Sequence, residues 1–175
     1  MRVCSPRQET SLDADIDLSG EIMAVIGASN IQQHGVDSGT STSTPSQKAE
    51  MVKSLAQRER CVVLMTGAVD FLSDGRRTFA ISNGSHFLSI MTGTGCALGS
   101  IIASYVAVHR EDKLLAALAA LLHYEIAAER TAERLDVKGP GSFSVAFLDE
   151  LYILGKTLVE GGDVYIDKRA KIVSF

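Results

Sequence analysis

The clearest periodicity in the chain follows a polar stretch. Ala49, Val52, Leu55 and Ala56 repeat at helical spacing on one face, with Lys48, Lys53 and Arg58 mostly elsewhere, which predicts an amphipathic helix. Cys61 to Met65 (CVVLM) is a short, continuous apolar run ending at Thr66-Gly67, and it reads as a buried, parallel strand. Val69 to Ser73 and Arg77 to Ile81 flank Asp74-Gly75. That dipeptide predicts a hairpin on a type I′ turn, which needs positive φ at both central residues. Asn83-Gly84 marks another turn. His86 to Met91 reads as a further strand that runs into Thr92-Gly93-Thr94-Gly95-Cys96. Three helices follow. Ala97 to His109 is apolar almost all round, which predicts burial on all sides. Lys113 to Leu135 has Asp112 as its cap and no polar face over Leu114 to Leu122. Phe143 to Leu158 starts after Gly139-Pro140-Gly141 and ends at Gly161-Gly162.

The segment before Ala49 is less patterned. Residues 1–19 carry Pro6 and no periodicity, and are expected to be a disordered or non-homologous lead-in, with the domain proper at 20–175. Gly20 to Ile26 predicts a short helix capped by Ser19, and Gly35 to Ser46 a polar loop. The order of helix, strand, hairpin, strand and helices points to an α/β layered fold. Few strand candidates precede Cys61 for three apolar helices to cover. Either the chain assembles with partners or part of the domain is missing.

Composition narrows the function classes. The chain has 175 residues, 46% hydrophobic and 22% charged, as a single globular domain has. Its net charge of −4 makes it a poor candidate for nucleic-acid binding, which needs a basic face, and 6% aromatics without Trp argue against a base-stacking surface. Three cysteines, Cys4, Cys61 and Cys96, form no C-x-x-C, which argues against a disulfide framework and a cysteine zinc site and favours a reducing, cytoplasmic compartment. The N-terminal residues contain no apolar signal core, and no run approaches a membrane span.

The strongest chemical signal is Gly93-Thr94-Gly95-Cys96. Two glycines allow a tight turn and close approach of backbone to a ligand. A helix start adds free N–H groups and the positive end of a dipole, an anion site formed by the Thr94 and Gly95 amides. A cysteine on that first turn is expected to have a lowered thiol pKa and to act as a nucleophile or base. The alternative is a glycine-rich corner with a small buried cysteine. The G-x-G-x-x-x-G spacing from Gly93 to Gly99 only loosely matches a dinucleotide fingerprint, and no Walker motif is present. Glu125, Glu129 and Glu133 repeat at i+4, which reads as a solvated face balanced by Arg130 and Arg134. His34, His86, His109 and His123 have no metal-ligand spacing, and none is read as catalytic.

Several segments together resemble hydroxyethylthiazole kinase, of the ribokinase-like superfamily: GEIMAVIG (20–27), Gly35-Val36-Asp37, VVLMTGAVD (62–70), Ser73 to Gly75, TGTGCAL (92–98) and GPGSFSVAFLDELY (139–152). The wording is most similar to the kinase portion of the fungal bifunctional enzyme that also carries a thiamine-phosphate synthase domain. The resemblance implies a ribokinase-like fold represented by its C-terminal part, with a β-hairpin and three C-terminal helices. It also implies ATP- and Mg2+-dependent phosphorylation of the hydroxyl of 4-methyl-5-(2-hydroxyethyl)thiazole in thiamine biosynthesis, and a homotrimer with sites at subunit interfaces. By motif position, Thr66 resembles the ATP-contacting threonine and Gly93 the thiazole-contacting glycine. Cys96 stands where sugar kinases of the superfamily carry a general-base Asp, and Glu21 resembles the glutamate that places magnesium.

Leu18 stands where the family's magnesium element has Asn, and the family's Met-Thr-Asn pocket segment, Asp-Pro strand end and ATP-binding Arg have no counterpart in this sequence. The first reading is therefore the kinase, acting as such or read from a truncated gene model, and the second a catalytically incompetent kinase-half remnant that at most binds nucleotide or self-associates. A third, a ribokinase-like kinase for a sugar or pyrimidine alcohol, is disfavoured by Cys96 in place of Asp.

Overall fold

The computed structural model describes residues 2–4, 14–15, 17–18, 43–161 and 166–175. The chain divides into two compact units, 1–82 with 112–114 and 172–175, and 83–111 with 115–171.

The first unit is a sheet of seven strands among the described residues: β1 (Arg2–Cys4), β2 (Ala14–Asp15), β3 (Asp17–Leu18), β4 (Cys61–Thr66), β5 (Asp70–Ser73), β6 (Thr78–Ile81) and β7 (Ile172–Ser174). Their order is β2-β1-β4-β5-β6-β7, with β3 also on β4. One edge of β4 is shared: Cys61 to Val63 pair antiparallel with β1, and Met65-Thr66 pair parallel with β3. The β4–β5, β5–β6 and β6–β7 ladders are all antiparallel. The expectation of a parallel β4 therefore holds only at its C-terminal end. A continuous apolar run shows that both faces are buried, not which way the neighbours run.

One helix of this unit, α1 (Pro45–Glu59), starts in a capping box. The Thr44 hydroxyl accepts from the Gln47 amide and the Gln47 side chain accepts from the Thr44 amide. Its buried residues are Ala49, Val52, Leu55 and Ala56, the stripe read from the sequence. They pack with alternate β4 residues Cys61, Val63 and Met65, and with Phe71 and Ala80. Each large side chain so buried contributes ~1.5–3 kcal/mol.

The hairpin forms, but not on a two-residue turn. Ser73 pairs with Thr78, leaving 74–77 as the loop. Gly75 has φ +86° while Asp74 is not in the positive-φ region, so a type I′ turn is excluded. Side chains shape the loop instead. The Asp74 carboxylate accepts from the Arg76 and Arg77 amides, and the Arg77 guanidinium binds both Asp74 and Asp112.

The second unit is helical: α2 (His86–Ile90), α3 (Thr94–Val108), α4 (Lys113–Ala132, whose first two residues belong to the first unit), α5 (Pro140–Val159) and α6 (Ile166–Arg169). The strand expected at His86 to Met91 is α2. The Ser85 hydroxyl accepts from the Phe87 amide, turning the chain into a helix that an alternation of so few residues does not reveal. Nor is α3 buried all round: Leu98, Gly99, Ile102 and Val106 are buried, while Ala97, Ala107 and Val108 are exposed. The thoroughly buried helix is α4, with every residue from Ala120 to Ala128 in the interior.

The acidic series on α4 runs from the interior to the surface instead of along one solvated face, with only Glu133 exposed. Glu125 is buried, and Glu129 takes the Lys171 ammonium and the Asn83 amide. Glu133 holds the Arg169 guanidinium through both oxygens. Arg130 and Arg134, expected to balance that series, turn to Glu150 on α5. Residues 172–175 return to the sheet, an excursion the sequence pattern leaves unread.

The domain limits of 20–175 remain an expectation. Short strands occur within 1–19, too brief for periodicity to show. The helix expected at Gly20 to Ile26 and the loop from Gly35 to residue 42 lie outside the described residues.

Candidate active site

The glycine-rich turn joins α2 to α3. Gly93 is the residue before α3, at φ +92° and ψ −5°, a left-handed conformation that favours glycine. A Cβ built on it would meet nothing within 4 Å, so the turn faces open space. The Ala97 amide donates to the Gly93 carbonyl at 3.0 Å and closes the first helical turn. Ahead of it, the Thr94, Gly95 and Cys96 amides are the donors that a helix start leaves without intrahelical acceptors. They carry the positive end of the dipole. The thiol of Cys96 is exposed on this same turn, so the alternative of a small buried cysteine does not describe it.

The turn is fastened from beneath. The Thr94 hydroxyl turns back to the Leu88 carbonyl at 2.8 Å and the Met91 carbonyl at 3.2 Å, tying α3 to the preceding helix. The Tyr124 hydroxyl, from the middle of α4, donates to the Thr94 carbonyl at 2.8 Å. Tyr124 is 2% exposed, and burial pushes its phenol far above the ordinary value, so it remains a donor. Its ring meets Phe147 edge-on, Phe147 stacks on Phe143, and Phe143 stacks on Phe87 of α2. Phe143 belongs to the G-P-G-S-F segment. In that segment the Lys138 and Gly139 amides donate to the Ser142 hydroxyl, setting the start of α5.

In the first unit, Thr66 ends β4 and is half-buried. The chain turns immediately after it, and the Gly67 amide donates to the buried Asp70 carboxylate at 2.7 Å. Asp70 thus holds the strand end in a compact loop.

The model of the hydroxyethylthiazole kinase family matches residues 15–157. The chain belongs to this family. Hydroxyethylthiazole kinase from Moorella thermoacetica is 46% identical over 140 residues, which are 79% of this chain and 50% of that protein. The probable thiamine biosynthetic bifunctional enzyme of Schizosaccharomyces pombe is 41% identical over 159 residues, 87% of this chain and 30% of that protein. The solved hydroxyethylthiazole kinase of Pyrococcus horikoshii superposes with a TM-score of 0.69 at 32% identity, covering 91% of this chain and 55% of that one. The chain thus spans about half the length of the kinases it matches.

Within this kinase-family chain, the structure gathers Gly93, Thr94, Gly95 and Cys96 on one exposed turn of the second unit. Thr66 lies on a strand end of the first unit, and Glu21 lies outside the described residues. Sequence reasoning missed Tyr124 and Asp70. Asp70 sits four residues past Thr66 in a quoted motif, a legible signal. Tyr124 carries none, because its partner is thirty positions away and is a backbone carbonyl.

Proposed function

We propose that this chain acts in ATP-dependent phosphorylation of the hydroxyl of 4-methyl-5-(2-hydroxyethyl)thiazole, a step of thiamine biosynthesis. One observation carries the reading: the T-G-T-G-C residues of a kinase-family chain form an open turn with unspent amides and an exposed thiol at a helix start. In this reading the amides of Thr94, Gly95 and Cys96 hold phosphate oxygens, Gly93 leaves room for the thiazole, and Thr66 contacts ATP. The substrate oxygen bonds to the γ-phosphorus as the bond from that phosphorus to the β,γ-bridging oxygen breaks. The electron pair leaves with ADP, and the hydroxyl proton passes to Cys96. Positioning and charge stabilisation supply most of the rate in such transfers.

Magnesium belongs to the same proposal, with Glu21 as its carboxylate. Among the described residues no group of three or more His, Cys, Asp or Glu side chains is placed to hold a metal ion. The roles given to the glycine-rich turn do not depend on the metal. A cytoplasmic location and a homotrimer are part of the proposal as well, and no helix of the described residues is long and apolar enough to cross a membrane.

The test is incubation of the chain with ATP, magnesium and the thiazole alcohol, with mass-spectrometric detection of the phosphate ester. Ester formed above a chain-free control, and abolished in Cys96→Ala, supports the reading. Retention of ATP without ester supports nucleotide binding alone. Neither binding nor ester overturns both.

A further inference from the structure

We infer that Tyr124 is a positioning residue for the Gly93–Cys96 turn, its hydroxyl holding the first carbonyl of α3 so that the Thr94, Gly95 and Cys96 amides stay aimed at bound phosphate. The inference rests on the proposed phosphate-holding role of those amides.

A glycine-rich helix start is a weak frame for an anion site. Gly93 and Gly95 have no side chains to brace them, and a Cβ at Gly93 would touch nothing. Order has to come from their neighbours. Thr94 is held at two points, its hydroxyl by α2 and its carbonyl by α4. The α4 anchor is the rigid one. Tyr124 lies in the most buried stretch of α4, its ring sits edge-on to Phe147 at 4.9 Å, and a tyrosine has only two rotatable side-chain bonds to order. The Thr94 carbonyl follows that of Gly93, the first acceptor of the helical ladder, so a donor placed on it fixes the tilt of the first peptide planes. The stack of Phe143 on Phe87 braces α2, the helix to which the Thr94 hydroxyl is tied. This assigns a role to the phenylalanine of G-P-G-S-F, which supports the turn through Phe87 of α2 and need not meet a ligand.

Tyr124→Phe removes the hydroxyl and keeps the ring. The 15N-labelled chain is titrated with ATP and magnesium, and amide exchange is followed residue by residue. In the native chain, ATP is expected to shift the Thr94, Gly95 and Cys96 amide resonances. In Tyr124→Phe, ATP affinity is expected to fall about tenfold, the equivalent of one hydrogen bond. Exchange at Ala97 and Leu98 is expected to quicken by a similar factor, with no change in the sheet. Ile126→Val, a buried truncation on the same helix, is expected to lower global stability and leave ATP affinity and these two amides unchanged.

Native affinity and exchange in Tyr124→Phe would overturn the inference while leaving the phosphate site standing. Absence of ATP shifts at these amides in the native chain would overturn the phosphate site and the inference together. Equal weakening by Ile126→Val would show a general loss of stability and also overturn it. Should Tyr124→Phe not fold, 3-fluorotyrosine at position 124 serves instead: its 19F resonance must move when ATP binds, and an unmoved resonance overturns the inference.

Discussion

Gly155 lies directly against the imidazole of His123: a Cβ at position 155 would come within 3.3 Å of Cε1 and 3.7 Å of Nε2. The ring cannot easily give way, because both nitrogens are engaged. Nε2 donates to the Leu151 carbonyl at 2.9 Å, and Nδ1 accepts from the Tyr105 hydroxyl at 2.7 Å. One buried imidazole thus links α3, α4 and α5. An alanine for a glycine in a helix interior ordinarily gains about 1 kcal/mol. Gly155→Ala is expected to gain none of this, because the displaced ring stretches a hydrogen bond worth a similar amount. With His123→Ala in the background, the same substitution is expected to recover the gain. Denaturant unfolding of the double-mutant cycle should give a coupling of at least about 0.5 kcal/mol, the size typical of residues in contact. A coupling of zero would contradict the contact.

His123 also predicts how stability depends on pH. Burial lowers its pKa below the ordinary histidine value, opposed by the Leu151 hydrogen bond. As pH falls below about 6.5, the unfolded chain takes up a proton that the folded chain resists. Stability is therefore full above the unfolded value and declines as pH drops toward the folded one. Urea melts between pH 8 and pH 5 should show this decline, and His123→Gln should flatten it. Two carboxylates lose their stabilising effect at lower pH. Asp74, although burial pushes it upward, is held below the ordinary range by the Arg77 and Arg76 amides. Glu133 is held down by the Arg169 guanidinium.

Gly75 is required by the hairpin. Its φ of +86° is strained for any side chain, and a Cβ there would lie 2.7 Å from Gln57 Cγ and 3.0 Å from the Gln57 nitrogen. Gln57 is also the residue whose side-chain amide donates to the Gly75 carbonyl at 2.7 Å. Gly75→Ala should lower stability by about 2 kcal/mol or more, combining left-handed strain of ~1–2 kcal/mol with loss of that hydrogen bond. Calorimetry reads the loss directly, and a native melting temperature would refute the geometry.

On the proposed reading, Cys96→Ala in a full-length context should reduce thiazole phosphorylation by the ~10²–10⁴-fold typical of general-base assistance, with folding unchanged because the side chain is exposed. Cys96→Asp should retain or exceed native turnover, since a carboxylate there is ionised at neutral pH. Initial rates at saturating ATP decide the matter. Full turnover in Cys96→Ala would leave the cysteine as an ordinary surface residue of the turn.

The sequence by itself determined the elements whose signal is local. The helical spacing of Ala49, Val52, Leu55 and Ala56 named the buried face of α1, because 3.6-residue periodicity is a property of one segment against one surface. The order of six motif segments, T-G-T-G-C and G-P-G-S-F among them, carried the resemblance to the family, and glycine's conformational freedom marked the turn at Gly93. What depended on distant partners stayed hidden. Whether β4 pairs parallel or antiparallel is decided by β1, β3 and β5, not by its own apolar residues. Ser85 made a helix of His86 to Ile90 where alternation suggested a strand. Glu129 and Glu133 of α4 are ion-paired because residues 169 and 171 come back to meet them. Tyr124 acquired its role through a carbonyl thirty residues earlier, a contact that no periodicity encodes. Tertiary structure decided these features because pairing, burial and hydrogen-bond partnership are relations between segments, and a linear pattern records only the segments themselves.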